Sequence, residues 1–204
     1  MPSNPTRRTV VTGTALFLAA VAAGLPPRSA AAVTPDRARS MVESLVADIN
    51  GVIASGKSEA AMIGDFERIF DSYADVPTIA RSALGPDARS ASASELAAFT
   101  DAFRGYIARK YGKRFREFIG GRIEVNEAAA VNWYVEVRTT AYLRGENPFR
   151  VDFLVSDRSG RDAFFNMVIE GVNMLSAERV EIGAMLDRAG GDVAALARAL
   201  SAAG

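Results

Sequence analysis

Three residues in the second half of the chain, Thr140, Asp152 and Asn166, are its best candidates for bond chemistry, with Arg138 and Arg150 close by. A carboxylate beside a hydroxyl and an amide suits proton transfer when it is buried, because desolvation raises its pKa toward neutrality. At a sheet surface the same trio forms a cross-strand hydrogen-bonded ladder. The remaining catalytic repertoire is thin. The chain has no histidine and no cysteine, which removes the commonest general base, thiolate nucleophiles, disulfides and zinc–thiolate sites. No G-x-S-x-G sequence occurs, so what survives is a carboxylate mechanism or a Ser–Lys pair built on Lys57, Lys110 or Lys113, the only lysines.

A second group is basic: Arg104, Arg109, Lys110, Lys113, Arg114, Arg116 and Arg122, interrupted by Glu117 alone among acids. Such a cluster is either a solvated helix face or a docking surface for acidic partners or anionic headgroups, with Arg109, Lys110, Lys113, Arg114 and Arg116 as its centre. The 24 Lys and Arg are matched by 24 Asp and Glu, a balance that argues against nucleic acid as a partner.

The N-terminus carries an address. Thr6-Arg7-Arg8, an apolar run from Val10 to Ala23, Pro26-Pro27-Arg28 and then Ala30-Ala31-Ala32 form the pattern of a twin-arginine export signal with a small-residue cleavage site. The run is shorter than the roughly 20 apolar residues that span a bilayer. Residues 1–32 are therefore expected to be a signal peptide and 33–204 a single periplasmic domain. The leader holds three of the basic residues and none of the acidic ones, which leaves the domain mildly acidic.

Helical periodicity dominates the first half. Thr34-Pro35 reads as a cap and first turn, followed by apolar positions from Ala38 through Leu45 and Ile49 to Ile53. Met62, Phe66, Ile69, Phe70 and Tyr73 share a face of a second helix, a short third one runs from Val76 to Leu84, and a Ser92/Glu95 capping box opens the longest, expected to reach Ile119. After Gly120-Gly121 the period drops to two. Strands are expected near 122–129, 132–144, 148–156 and 162–170, as an antiparallel meander in which Leu143 faces Phe149 and Phe153 faces Phe165. Two helices follow, one from Val172 to Ala189 and one capped by Asp192. The fold class is α+β: N-terminal helices, a four-stranded curved sheet and C-terminal helices arranged as a cone, with the apolar sheet face needing cover.

The order of these elements and several strings resemble the MlaC family of periplasmic phospholipid carriers, also called toluene-tolerance or ABC-transporter auxiliary proteins. The strings are Ile169-Glu170-Gly171-Val172-Asn173-Met174 at the sheet-to-helix junction, Ala80-Arg81-Ser82-Ala83-Leu84-Gly85, Val151-Asp152-Phe153, and the aromatics Phe99, Phe103 and Tyr111 on the long helix. The likeness runs from about Ala38 to Leu200, and the chain departs from the pattern at Ala88, Asp162, Asn166 and Asn173. Taken alone, the apolar stripes on the long helix and the sheet are either packed core or the wall of a cavity. The resemblance implies a cavity that takes up acyl chains, with Val135, Val137, Val151, Phe153, Val155, Phe165 and Met167 as one wall and Leu45, Ile49, Phe99, Phe103, Tyr106 and Ile107 facing them.

It implies further a carrier of glycerophospholipid between inner and outer membranes, with no catalytic residues, metal or cofactor beyond the cargo and with the headgroup near the mouth, in solvent, and so little selected. Its partners would be an inner-membrane ABC transporter complex with an MCE subunit and an outer-membrane lipoprotein complex. The competing expectations are a cone-shaped isomerase or hydrolase using Asp152 or another buried carboxylate, and a lipid-free adaptor with a solid core.

Overall fold

Thr34 caps the first helix as its type predicts: its side chain accepts the Arg37 N–H at 3.3 Å, with Pro35 in the first turn. The computed structural model describes residues 32–203, apart from the side chains of 114–116. The expected signal peptide, residues 1–32, lies outside the described residues except for Ala32.

Helix α1 (Pro35–Ala54) is followed by α2 (Glu59–Tyr73), α3 (Val76–Leu84) and a 3-10 turn (Gly85–Arg89). Helix α4 (Ala93–Gly112) starts with both halves of the Ser92/Glu95 capping box formed. It is shorter than its sequence suggests: after Gly112 the backbone tightens into a 3-10 segment (Lys113–Phe118). Gly112 marks a close approach of α2, since a Cβ there would sit 2.9 Å from Ile63 Cγ1 and 3.2 Å from Ile63 Cα.

The sheet runs β1 (Arg122–Val131), β2 (Tyr134–Tyr142), β3 (Phe149–Ser156), β4 (Ala163–Ile169) and β5 (Val172–Asn173), antiparallel and in chain order. The fifth strand takes two residues expected to begin a helix. Glu170 and Gly171 both hold positive φ, 48° and 80°, and so make a tight hairpin that lays Val172 and Asn173 beside Ile169 and Val168. Asn173 then caps α5 (Met174–Arg188) by accepting the Ser176 N–H at 3.0 Å, and Asp192 caps α6 (Val193–Ala202).

Register differs from expectation in two ways. Between β2 and β3 the pairing is shifted by two residues, so Ala141 rather than Leu143 faces Phe149 and Val137 faces Phe153. An even shift keeps every side chain on its face. Between β3 and β4 a bulge lies at Leu154/Val155, so Val155 meets Phe164, Phe153 meets Met167 and Val151 meets Ile169. The extra residue is Phe165. Phe164 takes the inner position instead, with its ring 5.6 Å from Phe153 and 6.2 Å from Phe70, while Phe165 stacks on the exposed Trp133 at 4.9 Å.

Candidate functional site

The inner face of the sheet and the helices facing it do not close on each other along their whole length. Between them lies a cavity of about 770 Å³, bordered by all five strands and by α1 to α5, at the upper end of the range for small-molecule sites. Helices contribute Leu45 and Ile49 (α1), Phe66, Ile69 and Phe70 (α2), Ile79 (α3), and Phe103, Ile107 and Tyr111 (α4). The sheet contributes Ile123, Ala141, Phe149, Val151, Phe153, Phe164, Met167 and Ile169. Its mouth lies where β2 turns into β3 and β4 into β5, because the bordering residues there, Glu146, Asn147 and Val172, are solvent-exposed together with Glu117 of the 3-10 segment.

The structure brings together Leu45, Ile49, Phe103, Ile107, Val151, Phe153 and Met167 around this space, and Phe165 touches it from the bulge. Val135, Val137, Val155, Phe99 and Tyr106 are elsewhere. The first four are at most 1% exposed and are packed as solid core outside the cavity. Tyr106 turns toward α5, where its hydroxyl donates to Glu181. Sequence reasoning left out Phe66, Ile69, Phe70 and Phe149. The shared face of α2 was visible in the apolar spacing, but nothing in it specified a cavity rather than core.

Polar groups are few in the wall, and one cluster is prominent. Glu178 of α5, 5% exposed, borders the cavity; its Oε1 accepts from Lys110 Nζ at 2.7 Å and from the Tyr111 hydroxyl. Lys110 also donates to Glu181, and its ammonium lies 5.3 Å from the Tyr111 ring centroid and 5.5 Å from that of Tyr106. Burial, then the bond to Glu181, pushes the Tyr106 hydroxyl up to about 12, and burial followed by Glu178 raises Tyr111 as well. For Lys110 burial opposes the charge, but the hydrogen bonds to Glu178 and Glu181 outweigh it and its pKa is raised. Glu181 is held below the usual carboxylate range by hydrogen bonds from Lys110 and then Tyr106.

The trio that suggested bond chemistry is dispersed. Asp152 faces Arg138 and Val168, Thr140 faces Arg150, and Asn166 faces Leu154. Asp152 is buried, 5% exposed, but its carboxylate is already paired, accepting from Arg150 Nε at 2.7 Å, and the ion pairs continue through Glu136, Arg138 and Glu127 across the outer sheet face. Thr140 accepts from Asn126 at 2.7 Å, and Asn166 Oδ1 accepts the N–H groups of Met167 and Leu175. These contacts are those of a cross-strand ladder and a strand-end cap. Among the described residues no group of three or more Asp and Glu could hold a metal ion.

The basic cluster is largely engaged inside the molecule. Arg109 donates to the carbonyls of Leu200 (2.7 Å) and Ala203 (2.8 Å), closing the C-terminal end of α6, and Lys110 belongs to the cluster above. Arg104 pairs with Glu67, Asp71 and Asp101, and Arg122 pairs with Glu124 and covers the Tyr142 ring. Lys113 is exposed, while the side chains of Arg114 and Arg116 lie outside the described residues. A shallower groove of about 480 Å³ between α1 and α2 is bordered by Lys57, Asp65 and Arg68, which pair with one another.

Helices over one face of an antiparallel sheet, with an apolar chamber between them and an opening at one end, define a small-molecule-binding protein of the α+β class. The family model described as MlaC protein matches residues 39–202, and the chain belongs to that family. Among solved structures, one of a phospholipid-binding protein from Ralstonia solanacearum, in complex with a phospholipid, superposes with a TM-score of 0.68 at 18% identity. The match covers 80% of this chain and 94% of that one, so the two share the fold. No protein with a curated description matches the chain in sequence.

Proposed function

We propose that this chain is a periplasmic carrier that encloses the acyl tails of a glycerophospholipid and ferries it between the inner and outer membranes. The observation that carries the reading is the apolar cavity of about 770 Å³, open at one end, in a chain of the MlaC family. The similarity to a structure described as holding a phospholipid supports it. A carrier meets an energetic need: leaving about 30 methylenes in water at about 0.8 kcal/mol each costs on the order of 24 kcal/mol. In this reading export follows the twin-arginine leader, and exchange takes place at an ABC transporter complex with an MCE subunit and at an outer-membrane lipoprotein complex. We infer no catalysis: Asp152, the best carboxylate candidate, is bound to Arg150 in the outer-face ladder.

Solvent extraction of the purified protein followed by mass spectrometry tests the reading, with about one diacyl lipid per chain expected. Phe153→Arg places a charge among the tails, at a cost of about 3 kcal/mol in hydrocarbon, and lipid affinity should fall about a hundredfold. A folded variant with wild-type lipid content sinks the proposal.

A further inference from the structure

The chamber has a floor, and several elements reach it at the same level when followed away from the mouth. On α4 the cavity lining stops at Phe103 and on β3 at Phe153. The next inward residues, Phe99 and Val155, are fully buried and lie outside the cavity. On α1 the lining stops at Leu45, with Val42 fully buried beyond it. Phe70 of α2 and Phe164 of β4 complete the layer, the Phe164 ring lying 6.2 Å from that of Phe70 and 5.6 Å from that of Phe153. Four of these five residues are phenylalanines.

This floor is held from behind. The Phe103 ring rests on Phe99 at 5.8 Å, and the Phe164 backbone is fixed by the Asp75 N–H at 2.8 Å and by its bridge to Ala74. Core packed at this density has low compressibility, so the layer does not yield to a cargo pressed against it.

Two elements measure the depth. Tyr111 and Phe103 bound the lining of α4 eight residues apart, a rise of about 12 Å. Phe149 and Phe153 bound that of β3 four residues apart, about 13 Å. A bilayer leaflet gives its tails about 15 Å, half of a hydrocarbon core of about 30 Å. The chamber is therefore about one tail layer deep, and an ordinary tail entering from the mouth reaches the floor. Methylenes beyond that length are left at the mouth, in water.

Resting on the phospholipid-carrier reading, we propose that the layer of Phe70, Phe103, Phe153 and Phe164 is a tail-length ruler. It makes the preferred cargo a lipid whose tails suit a leaflet of ordinary thickness, and it discriminates against longer tails whatever the headgroup.

The experiment loads lipid-stripped protein from vesicles of phosphatidylcholine carrying, in equal parts, species with two monounsaturated tails of fourteen, sixteen, eighteen, twenty or twenty-two carbons. The protein is re-isolated and its bound species are counted by mass spectrometry. Wild-type uptake should hold up to eighteen carbons and then fall about tenfold for each further pair of carbons, equivalent to about 1.4 kcal/mol. Phe70→Ala removes a ring from the floor and should bring the twenty-carbon species up to the level of the eighteen-carbon one. Phe149→Ala, the same truncation at the mouth, should leave the fall where it is. Wild-type uptake that does not depend on tail length overturns the inference while leaving the carrier reading intact, as does a fall unmoved in Phe70→Ala. An equal shift in Phe149→Ala also overturns it, since total space and not the floor then sets the limit. Should Phe70→Ala fail to fold, Phe70→Leu takes its place, with a smaller shift in the same direction expected. Recovery of no diacyl lipid of any length overturns the carrier reading itself.

Discussion

Near the β1–β2 turn, Val135 and Val155 face each other on the inner side of the sheet, at most 1% exposed and outside the cavity. Toward the β2–β3 turn, Ala141 and Phe149 face each other on the same side and line the cavity. Residue type does not separate the two ends; polar ties between layers do. At the closed end Arg37 of α1 grips Asp162 through two hydrogen bonds of 2.7 and 2.9 Å. Arg161 donates to the carbonyls of Ser72 and Ala74 at the end of α2, and the Asp75 N–H reaches the Phe164 carbonyl at 2.8 Å. At the open end α1 is held to β1 through Asn50 and Ile123 at 3.3 and 3.5 Å. Apolar patterning thus decides which face is greasy, and hydrogen bonds between helix ends and strand turns decide whether that face is filled.

The sharpest way to break this contrast is a charge at the closed end. Val137→Glu, at a fully buried position away from the cavity, should cost more than about 4 kcal/mol and abolish cooperative urea unfolding. A folded Val137→Glu protein that has merely lost its lipid would place the cavity wall at this end instead. Of intermediate size is the truncation pair Phe99→Ala and Phe149→Ala. The first leaves a void in packed core and should cost about 3–5 kcal/mol. The second enlarges an existing space at a half-buried position and should cost less than about 1.5 kcal/mol, so equal urea midpoints would erase the distinction.

The smallest effect concerns the polar cluster in the open end's wall. Because the folded pKa of Glu181 is depressed, its stabilisation is complete above the unfolded carboxylate value of about 4.3 and is lost as pH falls through the folded value. Tyr106→Phe removes one of the two hydrogen bonds responsible. Glu181 is nearly half exposed, at 45%, so screening keeps the loss below about 1 kcal/mol at pH 7. Denaturation midpoints between pH 3 and 6 should fall less steeply in the variant than in wild type. An unchanged acid slope would remove Tyr106 from the support of Glu181.

Much of the architecture was legible because caps and turns are local. Thr34, Ser92 with Glu95, and Asp192 each stand where their side chains bond the first turn of a helix, and the strands sit within a few residues of where the alternation placed them. The family resemblance drawn from the Ile169–Met174 junction and its companions agrees with the family match over residues 39–202. What was not legible depended on distant partners. The bulge that turns Phe165 out and Phe164 in has no signal in Ala163-Phe164-Phe165, since either phenylalanine satisfies the pattern. The burial of Glu178 was equally hidden: a glutamate in the middle of a helix reads as a solvated residue until Lys110 and Tyr111, 68 and 67 positions earlier, fold against it. The outer-face trio failed because a two-residue slip and a bulge, each too small to see in sequence, separate its members.

The outer margin of β4 shows what the short β5 accomplishes. Val172 and Asn173 pair with one end of that margin, Ala74 bridges to Phe164 at the other, and Asn166 between them receives the Leu175 N–H with its side chain. A strand margin occupied in this way offers no template for a stranger's backbone. The opposite margin, on β1, carries Arg122, Glu124 and Glu127 and is distorted by an irregularity at Val125/Glu127. Charge and irregularity on β1, and occupied backbone groups on β4, are the two devices that discourage edge-to-edge pairing of such a sheet with a second copy.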